Sequence, residues 1–215
     1  MDALQPWQPL VASCVTNLAM HMQPELLFFH AASVGIEAAG VLLSGNKGAG
    51  KTTLSMSLAA SGHTFFGDEI AAIRTRTREL AAFRRAISVR PGPCSPQVGK
   101  LLEGRSCPRE TFPDGTTRIR MRADHLFPAP AMVSIPLQMI FFLSGFADRP
   151  RAEAFVPRAA DLPLLTPLPY AFWDTSPARP LMQVAKLLSQ VRCYRLYQGP
   201  PQETASLVER IVRMN

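Results

Sequence analysis

The residues best suited to chemistry stand close together. Gly45-Asn46-Lys47-Gly48-Ala49-Gly50-Lys51-Thr52-Thr53 fits G-x-x-x-x-G-K-[ST] without a departure. Its three glycines let the main chain wrap an anion at φ values and approach distances that a Cβ forbids. The N–H groups of such a loop converge as a nest for phosphate. Lys51 stands where it reaches the β- and γ-phosphates, and Thr52 where its hydroxyl holds Mg²⁺, so ATP and Mg²⁺ are the expected cofactors. Further on, Asp68-Glu69 offers two carboxylates. One can join Thr52 at the metal; the other can orient or deprotonate an acceptor hydroxyl, and which acid acts as base stays open. The structural alternative is that one of them caps a turn or pairs with Arg74. His30, at the end of an apolar run, is a packing residue or a partner for phosphate or acid. Arg84 and Arg85 are either anion ligands or solvated charge.

These side chains need elements to hold them. The apolar run 39–44 predicts a buried strand feeding the glycine-rich loop, and 53–60 carries helical spacing closed by Gly62. Strand, loop and helix in that order put a helix N-terminus, with its partial positive charge, at the phosphate. The run 26–34 predicts one buried strand, antiparallel to 39–44 across a short turn. Glu69 to Arg74 predicts a strand continuing from the acids, and 80–89 another. A loop at 91–96, a weak helix over 97–103, and an Asp114-Gly115 turn before a strand at 117–122 follow. Residues 136–143 predict a strong central strand and 153–156 a short one. Three prolines cut 162–168. Helices are expected at 10–20, 181–190 and 202–214, and a strand at 193–197.

The 215 residues suit a single domain 1–215: an N-terminal extension (1–24), a nucleotide-binding core (25–74), and the remaining sheet and C-terminal helices (75–215). The net charge of +7 is concentrated: Arg74 to Arg122 holds eleven arginines and Lys100 against four acids. That is a basic face for an anion, or simply solvated charge, and no nucleic-acid motif accompanies it. Four separated cysteines make no metal spacing or evident disulfide framework. No leader or spanning segment is read, so a cytoplasmic protein without membrane contact is expected. His21, His63 and His125 form no constellation, and Trp7 and Trp173 read as packing residues. Absence of N-K-x-D argues against a GTPase, and absence of LSGGQ against an ABC ATPase.

Residues 30–73 resemble the P-loop domain of HPr kinase/phosphorylase and its shorter relatives. The resemblance rests on His30-Ala31-Ala32-Ser33, the glycine-rich loop after it, and Ser61-Gly62-His63 leading to Asp68-Glu69. Phe83-Arg84-Arg85-Ala86-Ile87-Ser88, the run 136–143 before Ala147-Asp148-Arg149-Pro150, and Tyr194-Arg195-Leu196 extend it. It implies an α/β P-loop NTPase of the HPr kinase / PEP carboxykinase-like type, with a mixed central sheet flanked by helices. It also implies transfer of the γ-phosphate to a hydroxyl, most readily serine, on a protein, peptide or small molecule. Asp68, Glu69, His30 and Lys51 are then the catalytic candidates, residues 45–53 the nucleotide ligands, and Thr52 and Asp68 the metal ligands. A homo-oligomer is a further implication. A nucleotide-binding accessory module without transfer, or a metabolite kinase, are the alternatives.

Overall fold

The computed structural model describes residues 7–90, 96–111, 115–158, 160–161, 165 and 178–215. Residues 91–95, 112–114 and, apart from Leu165, the proline-cut run 162–168 lie outside these, as do Cys94 and Trp173. Along the described residues α1 (Trp7–His21) is followed by β1 (Leu26–Phe29), β2 (Ala31–Ile36), β3 (Ala39–Ser44) and α2 (Lys51–Ala60). Next come β4 (Thr64–Gly67), β5 (Ala71–Arg74), β6 (Glu79–Ala81), β7 (Ile87–Val89) and α3 (Pro96–Leu102). β8 (Arg109–Thr111), β9 (Thr117–Met121), α4 (Ala123–Leu126), β10 (Ser134–Phe146) and β11 (Arg151–Phe155) continue the chain, and α5 (Ala178–Leu188), β12 (Arg192–Gln198) and α6 (Pro201–Arg213) close it.

The larger sheet is mixed and is organised on β10. This strand pairs antiparallel with β6 through Ser134–Pro136, and parallel with both β3 and β12 from its middle onward. β2 lies antiparallel to β3, as the short connection requires, and β4 pairs antiparallel with β2. β5 joins β6 to β1, and β11 adds to β12. A register shift between Leu137 and Met139 reverses the alternation of β10. Ile135, Leu137, Ile140 and Phe142 therefore pack with Val184 and Leu187 of α5, while Met139, Phe141 and Leu143 pack with α2 and α6. With helices on both faces the strand must be apolar on both sides, as its sequence is. Each fully buried aliphatic side chain in these layers contributes about 1.5–3 kcal/mol.

A three-stranded sheet, β7-β9-β8, packs against α2 through Ile87 and Val89, which meet Met56 and Ala59. This second sheet brings part of the arginine-rich region to the start of α2.

Two expected strands divide and a third is shortened. The run 26–34 breaks at His30, because β1 pairs with β5 whereas β2 pairs with β3 and β4. The predicted strand from Glu69 begins only at Ala71, because Glu69 adopts φ +63 and turns the chain. The run 80–89 becomes β6 and β7, which belong to different sheets. β8 was not expected. The helices of the N-terminal and C-terminal stretches form where the spacing predicts. α1 leaves Leu10, Val15 and Leu18 exposed, and no helix of the described residues is long and apolar enough to cross a membrane. Cys14, Cys107 and Cys193 are free thiols.

Candidate active site

The glycine-rich loop joins a strand buried along its whole length to the first turn of α2. Gly48 and Gly50 sit at φ +88 and +91, the left-handed region that L side chains rarely adopt. Gly50 caps α2 without a side-chain bond, so the first N–H groups of the helix have no helical acceptor. They lie at a cavity of about 600 Å³ lined by His30, residues 47–53 and Glu69, and from the smaller sheet by Ser88, Val89 and Arg118.

Lys51 is buried and curls back along the loop. Its Nζ donates to the Gly45 carbonyl at 2.6 Å and to that of Asn46 at 3.2 Å. Burial lowers its pKa, and the charges of Asp68 and Glu69 oppose that shift. The ammonium keeps a third N–H beyond these two bonds. Gly45 and Asn46 thus act behind Lys51 and do not line the cavity, whereas the other seven loop residues do.

Thr52 Oγ1 donates to Asp68 Oδ2 at 2.9 Å. Asp68 is 4% exposed and stands behind Thr52. Burial pushes its pKa up to about 6, with the Glu69 charge acting in the same direction; the Thr52 hydrogen bond and the Lys51 charge act against it. Its Oδ1 is buried with no hydrogen-bond partner. A partnerless carboxylate oxygen beside a hydroxyl at the cavity wall is a pair of hard oxygen donors, which suits Mg²⁺. Among the described residues no group of three or more His, Cys, Asp and Glu forms a metal cluster. A magnesium ion bound with nucleotide keeps several waters and needs no such cluster.

Glu69 occupies its left-handed conformation at a cost of about 1–2 kcal/mol. The turn aims its carboxylate across the cavity to Arg118 Nη1 at 3.6 Å and Arg85 Nη1 at 3.8 Å. Burial lowers the Arg85 pKa, with Glu69 opposing and Arg120 reinforcing the shift. His30 lies at the bend between β1 and β2, exposed at the rim. Partial burial of its ring lowers its pKa from 6.5, and the Lys51 charge adds to this; Glu69 opposes it. The ring is therefore neutral at pH 7, with one nitrogen able to accept and the other to donate.

His30, residues 45–53, Asp68 and Glu69 meet around this one cavity or directly behind it. The arginine-rich region divides: Arg84, Arg85, Arg118 and Arg120 are half-buried and engaged, whereas most of its other cations are exposed, as the solvated reading expects. Arg84 is tied to α4: it donates to the Phe127 and Pro128 carbonyls and pairs with Asp124. Arg85 and Arg118 face Glu69, and Arg120 pairs with the buried Glu110. His63 is removed from the site, 3.1 Å from Glu209. Two contributors escaped sequence reasoning. Arg118 belongs to an alternating Arg-Ile-Arg strand whose facing side no local pattern reveals. Gln198 ends β12, and its Nε2 donates to the Ala49 carbonyl of the loop. A Cβ on Gly50 would stand 2.8 Å from Gln198 Oε1, so the two positions are fitted to each other.

No family model matches this chain. No curated protein matches it either. Among solved structures, the Hpr(Ser) kinase/phosphatase from Coxiella burnetii is similar with a TM-score of 0.43 and 15% identity, over 87% of this chain and 88% of that one. At that distance the likeness carries no conclusion about activity.

Proposed function

We propose that the chain is an ATP-dependent kinase, built on a P-loop of the Walker A type, that transfers the γ-phosphate to a hydroxyl, with serine of a protein or peptide as the leading acceptor. The observation that carries this reading is the joining of three parts at one cavity: the left-handed glycine loop with Lys51, the Thr52–Asp68 pair, and the carboxylate of Glu69. Bound ATP and Mg²⁺ would supply the phosphoryl group and the charge neutralisation on which such transfer depends. The loop amides and Lys51 would hold the phosphates, and Thr52 with Asp68 would hold the metal or its waters. Glu69 lines the cavity and Asp68 does not, so we assign orientation of the acceptor hydroxyl, and receipt of its proton, to Glu69. Arg118 and Arg85 fix the direction of that carboxylate. His30, neutral at the rim, supplies a further donor or acceptor for phosphate.

The ion pairs of Glu69 also favour a second reading. A carboxylate already engaged by two arginines suits a nucleotide-binding accessory module that performs no transfer. Incubation with Mg·ATP labelled in the γ-phosphate, together with serine-containing peptides and small alcohols, separates the two. The kinase reading expects label on a hydroxyl, and a loss of about 10²–10⁴ in rate for Glu69→Gln while nucleotide affinity is kept. Nucleotide binding by the wild type with no labelled acceptor supports the module, and no nucleotide binding at all sinks both.

A further inference from the structure

A second cavity, of about 240 Å³, opens at the far end of the β1–β5 pair. The register runs from Phe29↔Ala71, next to His30 and Glu69, to Leu26↔Arg74. At the strand rise of about 3.4 Å per residue, the two cavities are separated by roughly 10 Å or more of paired strand. Arg74, Arg76 and Arg78 come from the β5–β6 turn and Lys186 from α5, and all four line this cavity. Leu27, Ile73 and Leu187 form its apolar floor. Among the described residues no acidic side chain lines it, and none of the four cations enters an ion pair. Glu79, the acid nearest in sequence, is engaged by Thr77 and Ser134.

The turn is built with some strain. Arg78 adopts φ +61 and its N–H closes on the Arg74 carbonyl at 2.8 Å, while its own carbonyl accepts from Leu137. A residue with a Cβ is disfavoured in that conformation, where glycine or asparagine is at ease. Strain of this kind is found at sites that use it.

We infer that this groove is a docking site for an acidic peptide segment carrying an aliphatic side chain, distinct from the phosphate-loop cavity. Four like charges held together without an acid repel one another until an anionic partner joins them. The apolar floor gives that partner an anchor, and the cationic rim sets its charge. A nucleic acid is the poorer fit: among the described residues no aromatic side chain lines the groove to stack on a base. The inference does not depend on phosphoryl transfer, and its test reads binding alone.

The probe is fluorescein-labelled Glu-Glu-Leu-Glu-Glu, followed by anisotropy with the whole chain. Saturable binding is expected, falling steeply as salt rises from about 0.05 to about 0.5 M. The double reversal Arg76→Glu/Lys186→Glu should weaken it about tenfold or more. Glu-Glu-Gly-Glu-Glu should bind less tightly than the leucine peptide. Far-UV circular dichroism and Mg·ATP affinity of the double variant should match the wild type. If the reversal does not fold, Arg76→Gln/Lys186→Gln gives the same comparison with a smaller loss. Absence of saturable binding, unchanged affinity in the charge variants, or tighter binding of a short oligothymidylate than of the leucine peptide would each overturn the docking site.

Discussion

Asp68→Asn gives the sharpest account of the site's energetics. The wild-type carboxyl has an ordinary pKa of 3.8, and burial raises it to about 6 in the folded chain. The folded chain therefore holds this proton more tightly than the unfolded chain does. Below about pH 3 both states keep the proton and Asp68 has little effect on the balance. As pH rises toward 6 the unfolded chain has released it, the folded chain has not, and stability falls across that window. At about 1.4 kcal/mol per tenfold in proton affinity, the full loss is about 3 kcal/mol. Asparagine cannot ionise, so the variant lacks the loss while retaining an oxygen for Thr52. Urea unfolding of both proteins from pH 4 to pH 7.5 reads the difference directly. The stability of the variant relative to wild type should rise by about 2–2.5 kcal/mol between pH 4 and pH 7, most of it before pH 6.5. Other titrating groups cancel in the comparison as long as they do not touch Asp68. A difference that stays flat with pH, or rises in the opposite direction, refutes the assignment of a buried, reluctantly ionised carboxylate. Saturating Mg²⁺ and ADP should flatten the wild-type profile, since a bound cation favours the carboxylate, and should leave the variant profile unchanged in shape.

Two further substitutions probe the loop. Lys51→Ala should weaken Mg·ATP binding by about 10–100-fold in isothermal titration, the range for losing hydrogen bonds from a charged donor. Gly50→Ala should lower stability by about 1–3 kcal/mol in thermal melts, because the left-handed backbone and the 2.8 Å approach to Gln198 both oppose a Cβ. Adding Gln198→Ala to it should recover only the part due to contact, leaving the backbone part.

The strand–loop–helix unit was legible because everything that defines it is local. Apolar residues 39–44, glycines at the bends and the apolar periodicity of α2 lie within one short segment, and the side-chain bonds of Lys51 stay inside it. The same holds for β10, whose apolar run from Met139 to Leu143 reflects helices on both faces. What failed was partner choice. Nothing in Leu27-Phe28-Phe29-His30-Ala31-Ala32 says that its two halves pair with different strands, since both are buried and apolar. Glu69 stands out in the sequence as a site candidate, yet its positive φ is not foreseen there, because residues other than glycine seldom adopt it. The alternating arginines of β9 were correctly taken for a strand. Whether Arg118 faces water or a carboxylate depends on packing of the smaller sheet on α2, which no nearest-neighbour pattern encodes.

The hydrogen bond from Gln198 to the Ala49 carbonyl ties the order of synthesis to function. The motif that defines the loop is complete within the first quarter of the chain, but the residue that braces it arrives with β12, after β10 has been made to receive that strand in parallel. Parallel pairings between distant segments form late, since the loop between them must close first. A nascent chain emerging from the ribosome therefore displays its glycine-rich segment long before this brace can reach it. Docking of the last strand is thereby registered at the loop, since a chain without β12 leaves the Ala49 carbonyl without this side-chain partner.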